Sequence, residues 1–184
     1  MGWLVGNMLN GTVTDCSAEG QNSGYCTYGG GLICQLTAGV VSRCYTTGTV
    51  QGSIYDVGGL IWMNSGGTVS DCYSTATVHG TSNRYSGGLV AINSGAIIRC
   101  YSTGSVSGAD GGSGSFALGG LIASNSKTVT SCYYDKEASG RSDTGKGDPK
   151  TTAEMQTQST YVGWDFTSVW LISPGEYPRL RAKE

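Results

Sequence analysis

Five cysteines recur at one place in a repeating phrase. They are Cys16, Cys44, Cys72, Cys100 and Cys132, separated by 28, 28, 28 and 32 residues. The leucines that open each phrase, Leu4, Leu32, Leu60, Leu89 and Leu121, keep steps of 28, 28, 29 and 32. No other feature of the chain constrains its fold as strongly. A unit of this length cannot bury its apolar face alone, so successive units must stack into a solenoid. Each unit carries three strand signals: one after a glycine pair such as Gly58-Gly59, one around Val69, one around Val78. Gly-rich or Asn-Ser-Gly corners separate them. The expected fold is therefore all-β: a parallel β-helix (β-solenoid) of about five rungs over residues 1–134, right-handed and roughly three-sided.

Composition narrows the function classes. Thirty-one glycines and two phenylalanines in 184 residues exclude an ordinary helical core, and charged residues make up only 13%. A net charge of −2 supplies no basic surface for nucleic acid. No run of eighteen apolar residues exists for insertion into a membrane. The opening Met1-Gly2-Trp3-Leu4-Val5-Gly6 lacks the basic region of a signal peptide. The expectation is a fragment of a longer secreted protein.

After Tyr134 the phrase stops. Residues 135–184 are read as a polar loop followed by a capping segment. Thr151-Thr152-Ala153-Glu154 is a capping-box signal for a short helix. The aromatic-rich tail beyond it is expected to cover the last open strand edge and the end of the core.

Stacking turns repeat positions into ladders. The residues before the cysteines, Asp15, Arg43, Asp71 and Arg99, alternate in sign and are expected to pair between rungs. The cysteine column itself reads as small apolar packing rather than as a disulfide framework. Cys26 and Cys34 lie outside it, and their pairing with each other or with a column member stays open. Asn64, Asn93 and Asn125 line up as a three-rung amide ladder, with Met8 and Leu36 in that column below.

No catalytic or metal-binding pattern emerges. Gly140-Arg141-Ser142-Asp143-Thr144-Gly145-Lys146 follows a phosphate-loop pattern, but Gly147 stands where magnesium needs a hydroxyl. A single histidine, His79, rules out a His-Glu-x-x-His zinc site and reads as a solvated surface residue. Asp56, Asp71, Asp110 and Asp135 form no recognisable acid–base pair. Asp135, Asp143 and Asp148 lack calcium-loop spacing and read as a solvated loop. The chain is expected to be no enzyme and to need no cofactor.

Strand parity offers a candidate binding face. If Arg43 points outward, so do Tyr45, Thr47 and Thr49, while Cys44, Thr46, Gly48 and Val50 point inward. The same parity exposes Tyr73, Thr75 and Thr77 on the next unit and Tyr101, Thr103 and Ser105 on the one after. Trp62 occupies a position held elsewhere by Gly6, Cys34, Ala91 and Ala123. It either fills an inner pocket or lies outside, where a sugar ring can stack on it.

Gly87-Gly88-Leu89-Val90, Asn93, Cys100-Tyr101-Ser102-Thr103-Gly104 and Val106-Ser107-Gly108 resemble the GLUG repeat, and the tail resembles the segment that often follows such repeats. The first unit departs most, with Trp3 in place of a glycine and Ser17 in place of the tyrosine. The resemblance implies a module of a bacterial secreted or cell-surface protein, of the kind found in adhesins. On that basis the leading expectation is an extracellular, non-catalytic structural and adhesive module that binds glycan or a host or neighbouring cell surface. Self-association through the solenoid ends is also expected to be open to it. The other two readings are an ice-binding β-solenoid and a β-helical polysaccharide hydrolase.

Overall fold

The computed structural model describes residues 1–21, 27–52, 55–81, 85–108 and 117–182. The strands of the repeats form parallel ladders that recur once per repeat, as the period requires, and the tail adds one antiparallel pair, Trp170–Leu171 with Arg179–Leu180. One five-stranded ladder stacks Val5–Met8, Ile33–Leu36, Ile61–Asn64, Val90–Asn93 and Ile122–Asn125. A second stacks Thr12–Thr14, Val40–Ser42, Thr68–Ser70, Ala96–Ile98 and Val129–Thr130. The third runs from Ser17–Gln21 through Tyr45–Gly52 to the strands that follow Cys72, Cys100 and Cys132. Registers are the sequence period itself: Val13 faces Val41, Val41 faces Val69, and Val69 faces Ile97.

A fourth ladder, only four strands deep, runs through Gly29–Gly30, Val57–Gly58, Tyr85–Gly87 and Ala117–Gly119. Sequence reading assigned these glycine pairs to corners. The first unit contributes only an isolated bridge, Gly2 to Gly30, so the coil makes about four complete turns rather than five. The pairs are glycine because backbones meet there. A Cβ on Gly59 would lie 2.0 Å from the Gly88 carbonyl oxygen and 2.4 Å from Ser74 Oγ. Buried hydroxyls use the same closeness: Thr46 Oγ1 donates to Gly59 O at 2.8 Å and Ser102 Oγ to Gly120 O at 2.7 Å.

The core is a column of Leu32, Leu60, Leu89 and Leu121 packed against Ile33, Ile61, Val90, Ile122 and the cysteines. The six described cysteines are free thiols, and Cys26 lies outside the described residues. The column position has a further reason to be cysteine. Each residue before it holds left-handed backbone geometry, φ 49–53° at Asp15, Arg43, Asp71, Arg99 and Ser131. Across that sharp corner each thiol donates to the carbonyl two residues back, at 3.1 Å in Cys44 and Cys72 and 3.2 Å in Cys16, Cys100 and Cys132. A small apolar residue with a weak donor suits both the packing and the corner.

The end of the coil is closed by residues 135–150, which are more ordered than a polar loop. Asp135 caps a short helix, Lys136–Ser139, and Asp148–Lys150 adds a parallel strand to Tyr133–Asp135. The phosphate-loop look-alike belongs to this plug. Lys146 Nζ donates to Ala123 O at 2.8 Å, and Gly147, at φ +113°, lies against Leu121. Thr151 and Glu154 form the expected capping box of a one-turn helix, Thr152–Met155.

Candidate binding face

The tyrosines stack as parity requires. Ring centroids of Tyr45 and Tyr73 are 4.8 Å apart and those of Tyr73 and Tyr101 are 5.0 Å apart, with the ring planes nearly parallel. They are not, however, a solvent face. The chain beyond Lys150 folds back along the side of the coil and packs Met155, Tyr161, Trp164 and Trp170 onto them. Tyr73, Tyr101 and Tyr133 are buried, and Tyr45 is half-buried. This corrects both expectations for the region. The tyrosine column is the seat of the tail, and the tail covers a flank of the coil, while the preceding plug covers its end. The physical reason is area: a row of aromatic rings left in water is an extended apolar patch, and the tail carries the matching tryptophans.

Directional bonds fix this strap across several turns. Trp164 Nε1 donates to Ser131 O at 2.9 Å, Tyr101 Oη to Pro178 O at 2.5 Å, and Arg43 Nη2 to Arg181 O at 2.8 Å. Asp135, fully buried, receives Tyr177 Oη at 2.6 Å, Thr152 Oγ1 at 2.7 Å and two helix amides. Burial alone would raise its carboxyl pKa, but the donors from Tyr177, Ala138, Thr152 and Glu137 together hold it below the usual carboxylate value. Asp135 is thus no solvated loop residue.

Of the other predicted face residues, Thr75, Thr77 and Ser105 are exposed, and Thr47, Thr49 and Thr103 are half-buried. They border the strap as two short hydroxyl columns. Trp62 settles on neither expected arrangement: half-buried outside the apolar clusters, it stacks on Tyr28 at 4.1 Å, which stacks on Tyr55 at 5.2 Å. His79 pairs with Ser107, Nδ1 to Oγ at 2.8 Å. The charge column forms two rung-to-rung pairs, Arg43–Asp15 at 2.5 Å and Arg99–Asp71 at 2.7 Å. The amide ladder forms as read, with Asn64 Nδ2 to Asn93 Oδ1 and Asn93 Nδ2 to Asn125 Oδ1 both at 2.9 Å.

With the tyrosines covered, another side becomes the repetitive open surface. On the second ladder Val13, Val41, Val69, Ile97 and Val129 point inward. One outward column is Thr12, Val40, Thr68 and Ala96, continued by Thr128. The other is Thr14, Ser42, Ser70, Ile98 and Thr130. None of the ten is charged, and all are exposed or half-buried. The side chains of Thr12, Thr68, Ser70, Thr128 and Thr130 make no hydrogen bond among the described residues, so their hydroxyls are left to solvent. Asp15, Arg43, Asp71 and Arg99 mark one margin, and the glycine and asparagine corners mark the other. Sequence reading missed this face because it followed the aromatic residues. The signal was present in Thr12-Val13-Thr14, Thr68-Val69-Ser70 and Thr128-Val129-Thr130, an alternation with hydroxyls outward.

Comparison with known proteins places the repeat. The model of the GLUG motif matches residues 53–78, the third phrase of the chain. A protein of Evansella cellulosilytica described as a Gly-rich membrane protein is 48% identical over 46 residues, 24% of this chain and 5% of that protein. The chain thus spans a small part of the length of the relative it matches. Among solved structures none matches. No described helix is long and apolar enough to cross a membrane.

Proposed function

Taking as premise that this is a GLUG-repeat protein, we propose that it is a non-catalytic binding module of a larger bacterial surface protein, working outside the cell. The observation that carries this reading is the uncovered second ladder, two outward columns five rungs deep with no charge on them. Parallel stacking sets their pitch at about 4.8 Å, so any contact made by one rung is offered again by the next. Such a surface suits a repetitive ligand, where many weak identical contacts add. Several charged groups elsewhere are engaged in holding the coil together: Asp71 with Arg99, Asp135 with Tyr177, Asp143 with Gly120 and Lys146. The Gly-rich membrane protein it resembles in part supports an envelope setting.

The test is binding of the labelled full chain to bacterial and host cells and to glycan arrays, alongside Thr68→Arg with Ser70→Arg. Two guanidinium groups at the centre of the face should abolish binding with the fold intact. Binding that survives this change would move the function off the second ladder. Turnover of polysaccharide by the chain would replace the reading with a hydrolase.

A further inference from the structure

We propose that the ligand of the second ladder is ordered water, so that this face binds ice. The inference rests on the reading of that ladder as the module's binding surface and names its ligand class.

Three properties lead there. The face repeats in two directions, about 4.8 Å between rungs and about 6.7 Å between the two outward residues of one strand. An ice plane is also a two-dimensional lattice of oxygens with spacings of this order, whereas an ordinary globular partner offers no such repeat. The side chains are preorganised. Seven of the ten outward positions are Thr, Val or Ile, whose branched Cβ fixes χ1, so little freedom is lost on binding. The chemistry is mixed in the way a water lattice requires: hydroxyls free of protein partners anchor water, and methyl groups between them order it without competing for its bonds.

Other ligands fit less well. Glycan recognition leans on exposed aromatic rings, and the ten positions hold none, while the stacked tyrosines lie under the strap. Protein interfaces draw their affinity from buried aromatic or arginine anchors in pockets. The charged residues stop at the margin, so an ionic ligand has no counter-charge within the face.

The backing holds the columns in register. Behind the face lie Val41, Val69 and Ile97, all fully buried, and the amide ladder ties the adjacent corner rung to rung.

The experiment observes single ice crystals in solutions of the full chain and measures thermal hysteresis and recrystallisation. The expected result is faceted crystals and a measurable freezing gap that falls at least tenfold in Thr68→Tyr and in Ser70→Tyr. Ser159→Tyr, on the strap, should keep the full gap. Circular dichroism confirms that each variant is folded. Unshaped crystals and no gap with the folded chain, or a gap untouched by Thr68→Tyr, would overturn the proposal. If ice activity is absent but cell or glycan binding is still lost in Thr68→Arg with Ser70→Arg, the ligand assignment fails while the face remains the binding surface.

Discussion

Arg99 grips Asp71 with two prongs, Nε to Oδ1 and Nη2 to Oδ2, both at 2.7 Å, although each residue sits at positive φ. Position and conformation pull in opposite directions here. The pair joins adjacent rungs, but the left-handed corner strains any residue with a Cβ by about 1 kcal/mol or more.

The two effects separate by substitution. Arg99→Ala loses the pair and keeps the strain, whereas Arg99→Gly loses the pair and relieves the strain. Both substitutions lose the same pair with Asp71, so its cost cancels in the comparison. Arg99→Gly should therefore be more stable than Arg99→Ala by about 1 kcal/mol in urea unfolding. Equal midpoints would mean that the corner carries no strain.

The strap is predicted to hold the coil through its buried tryptophan. Trp170 is fully buried, packs 4.4 Å from Trp164 and lies 6.0 Å from both Tyr73 and Tyr101. Trp170→Ala should cost about 3–5 kcal/mol. Ending the chain at Lys150 should leave the end of the core plugged yet uncover the tyrosine row, giving binding of an apolar dye and a lower melting temperature. A truncated chain that melts like the intact one and binds no dye would show that the strap is ornamental to stability.

Alkali should unfold the protein through its tyrosines. Burial raises the pKa of Tyr73 and of Tyr177 to about 12, and pushes Tyr101, Tyr133 and Tyr161 upward as well. A folded-state pKa above the unfolded value of about 10 favours the fold at neutral pH. That stability is complete below about pH 10 and is lost as pH rises toward about 12, because only the unfolded chain then releases the protons. Absorbance at alkaline pH should show these hydroxyls ionising together with unfolding. Independent, gradual ionisation with the fold retained would contradict the covered row.

Thiol reactivity should follow depth. Burial raises Cys72, Cys100 and Cys132 well above an ordinary thiol, while Cys16 and Cys34 are half-buried. Alkylation of the native protein at pH 8, read by mass spectrometry, should spare Cys72, Cys100 and Cys132. In denaturant without reductant all five column thiols should react. Rapid native labelling of Cys72, or disulfides within the column, would contradict the packed core.

The short fourth ladder could not be read because glycine pairs look the same whether they turn a corner or let two backbones meet. The order within residues 135–150 was hidden for a related reason. Asp135 reads as a loop residue until Tyr177 and Thr152, 42 and 17 residues later, arrive to bond it.

What the sequence by itself determined was everything that repeats. Period fixes register, so the valine column, the thiol column, the amide ladder and the Asp–Arg pairs follow from repeat steps of 28 to 32 residues. Parity along a strand fixes which residues leave the core, and it sent the tyrosines outward correctly. Whether an outward residue meets water is a different question. It depends on a segment that does not repeat, folding back from far along the chain. Tyr101 and Thr68 are both outward by parity, but only the tertiary structure lays Trp164, Trp170 and Pro178 over the first and leaves the second open. Apolar area decided it, since the strap's tryptophans bury more apolar surface against stacked rings than against columns rich in hydroxyls.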